Sequence, residues 1–348
     1  MKDFLYKLAT DRYRGPFFAI SKLLLLLLSF VYGAVIRGLT LLLTSRAVSP
    51  KCRVISIGNI TLGGTGKTSL VKFVALTLQA NKHKVAIISR GYKRLALGLG
   101  DEPSMLLNGL KDIPVIVDRD RLRGAQRAAD EYAADTVIFD DGMQQWRVKK
   151  DLEIVVVNAV EAFGNRHMIP RGVLREPLSS LKRADVFVLA KTNLVLSTED
   201  IKKNLNKIKP GTLIVETIHH PEDLYELRNP QKHLATDFLK DKNVALFSGI
   251  GDPDSFVSLV RNLGAKPKLD LRFIDHHNYS DEDISGIINK SKQKDLKIIV
   301  TTEKDASRLS EERLKPFDDF KLLVLPIKLK IVKNEGEFIA RLLSLRSI

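Results

Sequence analysis

The hydrophobic pattern of the chain changes character once, near residue 50. Over residues 16–46 the sequence PFFAISKLLLLLLSFVYGAVIRGLTLLLTSR is apolar on nearly every side of a helical wheel. Beyond Val54, short β-branched runs alternate with stretches of helical periodicity. RVISI, KVAII, PVIV, TVIF and EIVVV form a first series of expected strands, with helices expected at 67–79 and 122–134. DVFVL, TLIVET, NVALFSGI, KIIVTT and KLLVLPIKLKI form a second series. Alternation of this kind predicts an α/β fold with mostly parallel sheet covered by helices. A stretch at 211–241, rich in Pro, His and charge, marks a join between two lobes. The expected domains are therefore 1–48, an N-terminal helix region; 49–210, an α/β lobe; and 211–348, a second, smaller α/β lobe.

The N-terminal segment is the most apolar part of the chain. Between Lys22 and Arg37 lie 14 residues without a charge. At ~1.5 Å per residue these make about 21 Å of helix, short of the roughly 30 Å hydrocarbon core of a bilayer. Adding 17–20 and 38–44 supplies the length if Lys22 and Arg37 snorkel. The two cations fall about 60° apart on the wheel and share a side. A helix spanning obliquely and one lying in the interface both fit. A cleaved signal peptide fits less well, because MKDFLYKLATDRYRG carries both charge signs and no small-x-small site follows. The remaining alternative is a buried core helix. Membrane association is the expectation.

The string GNITLGGTGKTSL lies between an expected strand and an expected helix, the context that a phosphate-binding loop requires. Gly63, Gly64 and Gly66 let backbone N–H groups face phosphate oxygens, and the helix N-terminus adds positive potential. Thr65 and Ser69 belong to the same cradle. Lys67 would reach the β- and γ-phosphates, and the Thr68 hydroxyl would meet Mg2+. Thr61 stands where a strict loop of this kind has glycine. Downstream, TVIFDDGMQ ends an apolar strand in Asp140 and Asp141, an arrangement suited to holding Mg2+.

Composition narrows the partner. The 348 residues are 44% hydrophobic and 28% charged, as in globular proteins, and the single cysteine, Cys52, excludes an intrachain disulfide. A formal net charge of +15 calls for an anionic partner. Nucleic acid is not expected, since no zinc-finger spacing, RNP-like strand or long basic block is present. Membrane surface and phosphorylated substrate remain. Three nucleotide-binding classes then compete. A GTPase needs an Asn-Lys-x-Asp base reader, which neither AKTN nor TEKD matches. A membrane-associated ATPase switch with a deviant loop needs a lysine where Leu62 stands. A kinase with a small or lipid acceptor is the third.

An ordered set of strings resembles the tetraacyldisaccharide 4'-kinases, or lipid A 4'-kinases: GNITLGGTGKTS, SRGYKR, GDEP, DDGMQQ, FGNRHMIPRGVLREPL, SGIGDPDSF, DHHNYS and TTEKDA. They run from Gly58 to Ala306, and Thr61 matches that family's form of the loop. The resemblance implies a P-loop lobe and a second lobe with the site in the cleft between them. It implies transfer of phosphate from ATP with Mg2+ to the 4'-hydroxyl of a tetraacylated glucosamine disaccharide 1-phosphate, giving lipid IVA at the cytoplasmic face of the inner membrane. A monomer is expected.

The resemblance also assigns residues. Asp101, in GDEP, matches the carboxylate that accepts the hydroxyl proton, and His276, in DHH, the histidine that pairs with it. Glu102, Asp140, Asp141 and Asp275 form an acidic set for Mg2+ or acceptor hydroxyls. Arg121 and Arg175 match basic positions near the phosphates. Gln144 fits the DDGxQ pattern, whereas Gln145 stands where the family often has histidine. Asn165 and Arg171 are expected headgroup contacts.

Overall fold

The β-branched runs become strands where both of their faces are covered. This computed structural model describes residues 8, 11, 13, 15, 17–90, 110, 112–275 and 277–344. Among them, residues up to 90, 110–218 and 331–344 form one unit, and 219–275 with 277–330 form another.

The first unit is built on an eight-stranded sheet of order β14-β7-β6-β5-β1-β4-β2-β3. Its strands are β1 (Arg53–Asn59), β2 (Val85–Ser89), β3 (Val115–Val117), β4 (Thr136–Asp140), β5 (Leu152–Asn158), β6 (Val186–Ala190), β7 (Leu213–Pro221) and β14 (Ile327–Lys333). From β7 to β3 every neighbouring pair is parallel. Strands β1, β2, β4, β5 and β6 are buried at every position, which is why they read as continuous apolar runs and not as alternation. The helices of this unit are α1 (Phe17–Ser45), α2 (Lys67–Ala80), α3 (Arg121–Tyr132) and α4 (Glu199–Ile208), with a last helix described below.

The other unit carries a six-stranded sheet of order β11-β10-β12-β13-β8-β9. Its strands are β8 (Leu224–Glu226), β9 (Asn229–Leu234), β10 (Asn243–Ser248), β11 (Lys266–Arg272), β12 (Ile298–Thr302) and β13 (Lys321–Leu325). The first four in the sheet order are parallel; β8 and β9 are added antiparallel. Alternate residues of β10 serve opposite faces. Val244 and Leu246 pack with Phe256, Val257 and Val260 of α5 (Pro253–Asn262). Ala245 and Phe247 pack with Ile284, Ile287 and Ile288 of α6 (Asp281–Gln293). Two short helices, α7 (Glu303–Ala306) and α8 (Glu311–Leu314), follow β12.

The unit boundaries differ from the expected ones. The second unit begins at 219, because β7 still belongs to the first sheet, and it closes at 330, well short of 348. The single string KLLVLPIKLKI supplies two strands in two sheets, divided at Pro326. Proline has no N–H to continue a ladder, so the strand must stop there. In β14, Leu329 and Ile331 are buried while lysines alternate outward, a pattern suited to a sheet edge. Helix α9 (Glu335–Leu343) then places Phe338 against Phe73 of α2, with ring centroids 6.4 Å apart.

Helix α1 reverses the usual order of a globular surface. Ser29 and Gly33 are its buried positions, whereas Leu23, Leu24, Leu27, Leu28, Phe30, Val31 and Val35 are exposed. The Ser29 hydroxyl donates to the Met168 carbonyl at 2.8 Å, and Tyr32 and Ile36 pack on the core cluster containing Met168 and Leu174.

Phe338 is fully buried, so Phe338→Ala should remove about 3–5 kcal/mol from the first unit. Urea unfolding in detergent checks this, and a loss below about 1 kcal/mol would show that α9 is not part of that core.

Candidate active site

The site begins where β1 stops. Parallel register pairs Ile57 of β1 with Asp140 of β4, so the loop leaving β1 and the Asp140–Asp141 pair emerge at the same end of the sheet. Gly63 and Gly66 adopt φ of 109° and 81°, conformations that a β-carbon would strain. Gly66 is also the N-cap of α2, and no side chain caps that helix. Its first-turn N–H donors, at Lys67, Thr68 and Ser69, are thus left for a ligand or water. Thr65 is buried, and among the described residues its hydroxyl finds no hydrogen-bond partner.

A second segment is laced onto this loop. The Leu62 N–H donates to the Val173 carbonyl and the Arg175 N–H to the Ile60 carbonyl, each at 2.8 Å. This lacing delivers the Arg175 guanidinium to Asp141 in a two-pronged grip, Nη1 to Oδ1 at 2.8 Å and Nη2 to Oδ2 at 3.0 Å. Lys67 Nζ lies 3.5 Å from Asp141 Oδ1 and donates to Asn59 Oδ1 at 2.9 Å. Asn59 Oδ1 also accepts from Arg175 Nη1 at 3.2 Å. Burial pushes the Asp141 carboxyl up, but Lys67 and Arg175 outweigh it and hold the pKa down at about 2. The result is two cations beside an uncapped, glycine-rich loop, an arrangement that can receive a phosphate chain.

Several expected site residues also bond to the framework. Arg121 is buried, with Nη1 donating to the Asp118 carbonyl and Nη2 to the Asp140 carbonyl, at 2.6 and 2.8 Å. It braces the end of β4 from behind, and burial depresses its pKa. Gln144 donates to the Asn59 carbonyl and to Glu176, a fully buried carboxylate that also takes bonds from Trp146 and Arg183. Asn165 and Arg171, expected at a headgroup, both bind Asp11 near the start of the chain. Burial raises the Asp11 pKa, but bonds from Lys22, Asn165 and Arg171 more than offset this and leave it well below the ordinary value. These two residues therefore fasten the N-terminal segment, because a partly buried carboxylate needs that many donors.

The structure adds residues that motif reading passed over. Asn59 is buried at the end of an apolar strand and links Lys67 to Arg175; a polar residue closing such a strand was the available signal. Tyr32 of α1 donates its hydroxyl to the Arg175 carbonyl at 3.0 Å, a contact with no sequence signal. In the other unit, Asp275 lies 4.0 Å from Lys304. His277 binds Asp283 at 2.8 Å and stacks on Phe273. Asp101, Glu102 and His276 lie outside the described residues.

Asp141 yields a pH prediction. Its folded pKa of about 2 lies below the ordinary 3.8, so its contribution to stability is complete above 3.8 and is lost as pH falls toward 2. Its side chain is 35% exposed, so solvent screening limits that contribution to roughly 1 kcal/mol. Asp141→Asn should be less stable than wild type by that amount near neutrality, with the two converging in strong acid. Urea midpoints measured across the acid range check this.

Comparison with known proteins places the arrangement. The family model described as Tetraacyldisaccharide-1-P 4'-kinase matches residues 21–346. A tetraacyldisaccharide 4'-kinase of Halothermothrix orenii is 35% identical, with 91% of this chain and 92% of that protein covered. One from Elusimicrobium minutum is 33% identical, covering 84% and 82%. The crystal structure of LpxK from Aquifex aeolicus in complex with ATP superposes with a TM-score of 0.67 at 27% identity, over 92% of this chain and 99% of that one. A match of this extent does not favour the alternative of a deviant-loop ATPase switch. The chain belongs to the tetraacyldisaccharide 4'-kinase family.

Proposed function

We propose that this chain transfers the γ-phosphoryl group of ATP to the 4'-hydroxyl of a tetraacylated glucosamine disaccharide 1-phosphate, yielding ADP and lipid IVA. The observation that carries the reading is the Lys67–Asp141–Arg175 constellation beside an uncapped P-loop, in a chain whose family match spans 21–346. Phosphoryl transfer asks a protein chiefly for positioning and charge neutralisation. Loop N–H groups and Lys67 would hold the β- and γ-phosphates, and Arg175, gripping through two N–H groups, would steady the γ-phosphate as the bond to the leaving oxygen breaks.

The donor set fits Mg2+. Among the described residues no group of three or more His, Cys, Asp or Glu side chains forms a metal cage. Mg2+ in kinases needs none, because it takes one or two protein oxygens together with phosphates and water. Thr68 and Asp140 would hold it, while Asp141 remains with its two cations. When bound, the ion neutralises charge on the phosphates.

The family resemblance supports Asp101 as the base that accepts the 4'-hydroxyl proton and His276 as the group that orients it. It also supports a monomer at the cytoplasmic face of the inner membrane. The exposed leucines of α1 support membrane attachment on independent grounds. Each such side chain left in water forgoes roughly 1–2 kcal/mol of burial, and seven share one helix.

Incubation with γ-labelled ATP and acylated disaccharide 1-phosphate should place label in the lipid fraction, and Lys67→Ala should lower that rate by at least about a hundredfold. Asp101→Ala should lower turnover while ATP binding survives. Label released only as inorganic phosphate would overturn the reading.

Introducing Lys at Leu24 and Leu28 should abolish flotation with phosphatidylethanolamine–phosphatidylglycerol vesicles, at about 2.5–3.5 kcal/mol per cation placed in lipid. Undiminished flotation would remove α1 as the anchor.

A further inference from the structure

The string AKTN at 190–193 fails as a guanine reader, since Asn193 stands where such a motif has aspartate, and none of the chemistry above uses it. Its lysine is nevertheless unusual in three independent respects. Lys191 follows β6, two strands from β1, and successive parallel registers bring the ends of β1, β5 and β6 to the same side of the sheet. Its backbone is left-handed, with φ of 63°. For a residue with a β-carbon that conformation costs about 1–2 kcal/mol, and it persists where the surroundings enforce it, often for function. The side chain is also only 3% exposed, rare for a lysine. Finally, Nζ donates to the Gly64 carbonyl at 3.1 Å, across 127 positions of sequence.

The geometry points to Lys191 as a positioning residue for the triphosphate moiety of the nucleotide, acting through the phosphate loop. A trans peptide is planar, and its C=O and the following N–H point in opposite directions. Holding the Gly64 carbonyl toward Lys191 therefore turns the Thr65 N–H the other way and fixes the direction of one of the loop's donors. The same contact stops the loop's own carbonyl from rotating toward incoming phosphate oxygens, where it would repel them. The ammonium adds a positive charge behind the loop, in an interior where charge is weakly screened. Lysine suits this task because its slim stem reaches the carbonyl from a strand end while its charge favours an anion on the far side. Leu189 and Ala190 of β6 are buried and fix the point from which it reaches. The inference rests on the nucleotide reading proposed above and adds a residue to it.

The test compares Lys191→Met, Lys191→Arg and Lys67→Ala by steady-state kinetics and by the rise in melting temperature that ATP induces. A hydrogen bond from a charged donor is worth about 1.5–3 kcal/mol, so Lys191→Met should raise KM for ATP roughly ten- to a hundredfold. KM for the acylated acceptor should stay within about twofold, and the ATP-induced stabilisation should shrink in step. Lys191→Arg, which keeps the cation, should recover part of the loss. If Lys191→Met does not melt cooperatively, Lys191→Gln, which keeps a donor without the charge, replaces it in the same comparison. A variant with a lowered melting temperature but unchanged KM for ATP would show a merely structural lysine and overturn the proposal, leaving the nucleotide reading intact if Lys67→Ala is inactive. Normal turnover in Lys67→Ala would defeat the nucleotide reading and this inference together.

Discussion

Two cations held within reach of one carboxylate set the terms for the rest of the first unit. Lys67 and Arg175 would repel each other if brought together alone, and Asp141 with Asn59 makes their proximity stable. Each partner comes from a different part of the chain. Asn59 closes β1, Asp141 follows β4, Lys67 opens α2, and Arg175 rides on a segment laced to the loop by main-chain bonds. Only the parallel register between β1 and β4 brings the first two to the same edge. Arg121 then braces the Asp140 carbonyl from beneath, which keeps the β4 end from yielding to the pull of the cations.

Helix α1 follows a different packing pattern. Its inward stripe is built from Ser29, Tyr32, Gly33 and Ile36, and its outward face from leucine, valine and phenylalanine. Packing through small and polar residues is how helices associate when hydrocarbon surrounds them, since apolar burial then offers no advantage. The stripe also makes contacts specific to this fold: Ser29 on the Met168 carbonyl and Tyr32 on the Arg175 carbonyl. The helix proposed to meet lipid is therefore one hydrogen bond from the main chain that carries Arg175. For an acceptor whose acyl chains stay in a leaflet, that closeness is what geometry demands.

Much of this was legible in the sequence, and the reasons differ by element. Strands buried on both faces announced themselves as unbroken β-branched runs, and GTGKTS between a strand and a helix announced the loop. The unit boundaries were not legible. KLLVLPIKLKI reads as one hydrophobic stretch, and nothing local says that its halves join different sheets at Pro326. Polar residues of the motifs make bonds that the sequence does not announce. Arg121, Gln144, Asn165 and Arg171 lie in motifs and were expected at the nucleotide or the acceptor, and the structure adds their bonds to the protein itself. Holding a site in shape constrains polar residues as firmly as touching a substrate does. Asn59, Tyr32 and Lys191 escaped notice because their importance is a matter of which distant atom they reach.

The second unit shows the same principle in a more enclosed form. Asp305, in TTEKDA, is fully buried and accepts from the Gly249 N–H, the Tyr279 hydroxyl, the Thr302 hydroxyl and Arg308. Gly249 belongs to SGIG and Tyr279 to DHHNYS, so three separated motifs meet on one carboxylate. A buried charge is tolerated only when its oxygens are so satisfied, and loss of one partner leaves the others badly placed. This accounts for the three strings occurring together without any of them needing to touch a ligand through Asp305. His277 is committed to the framework through Asp283 and the face of Phe273, and Tyr279 stands edge-on to it.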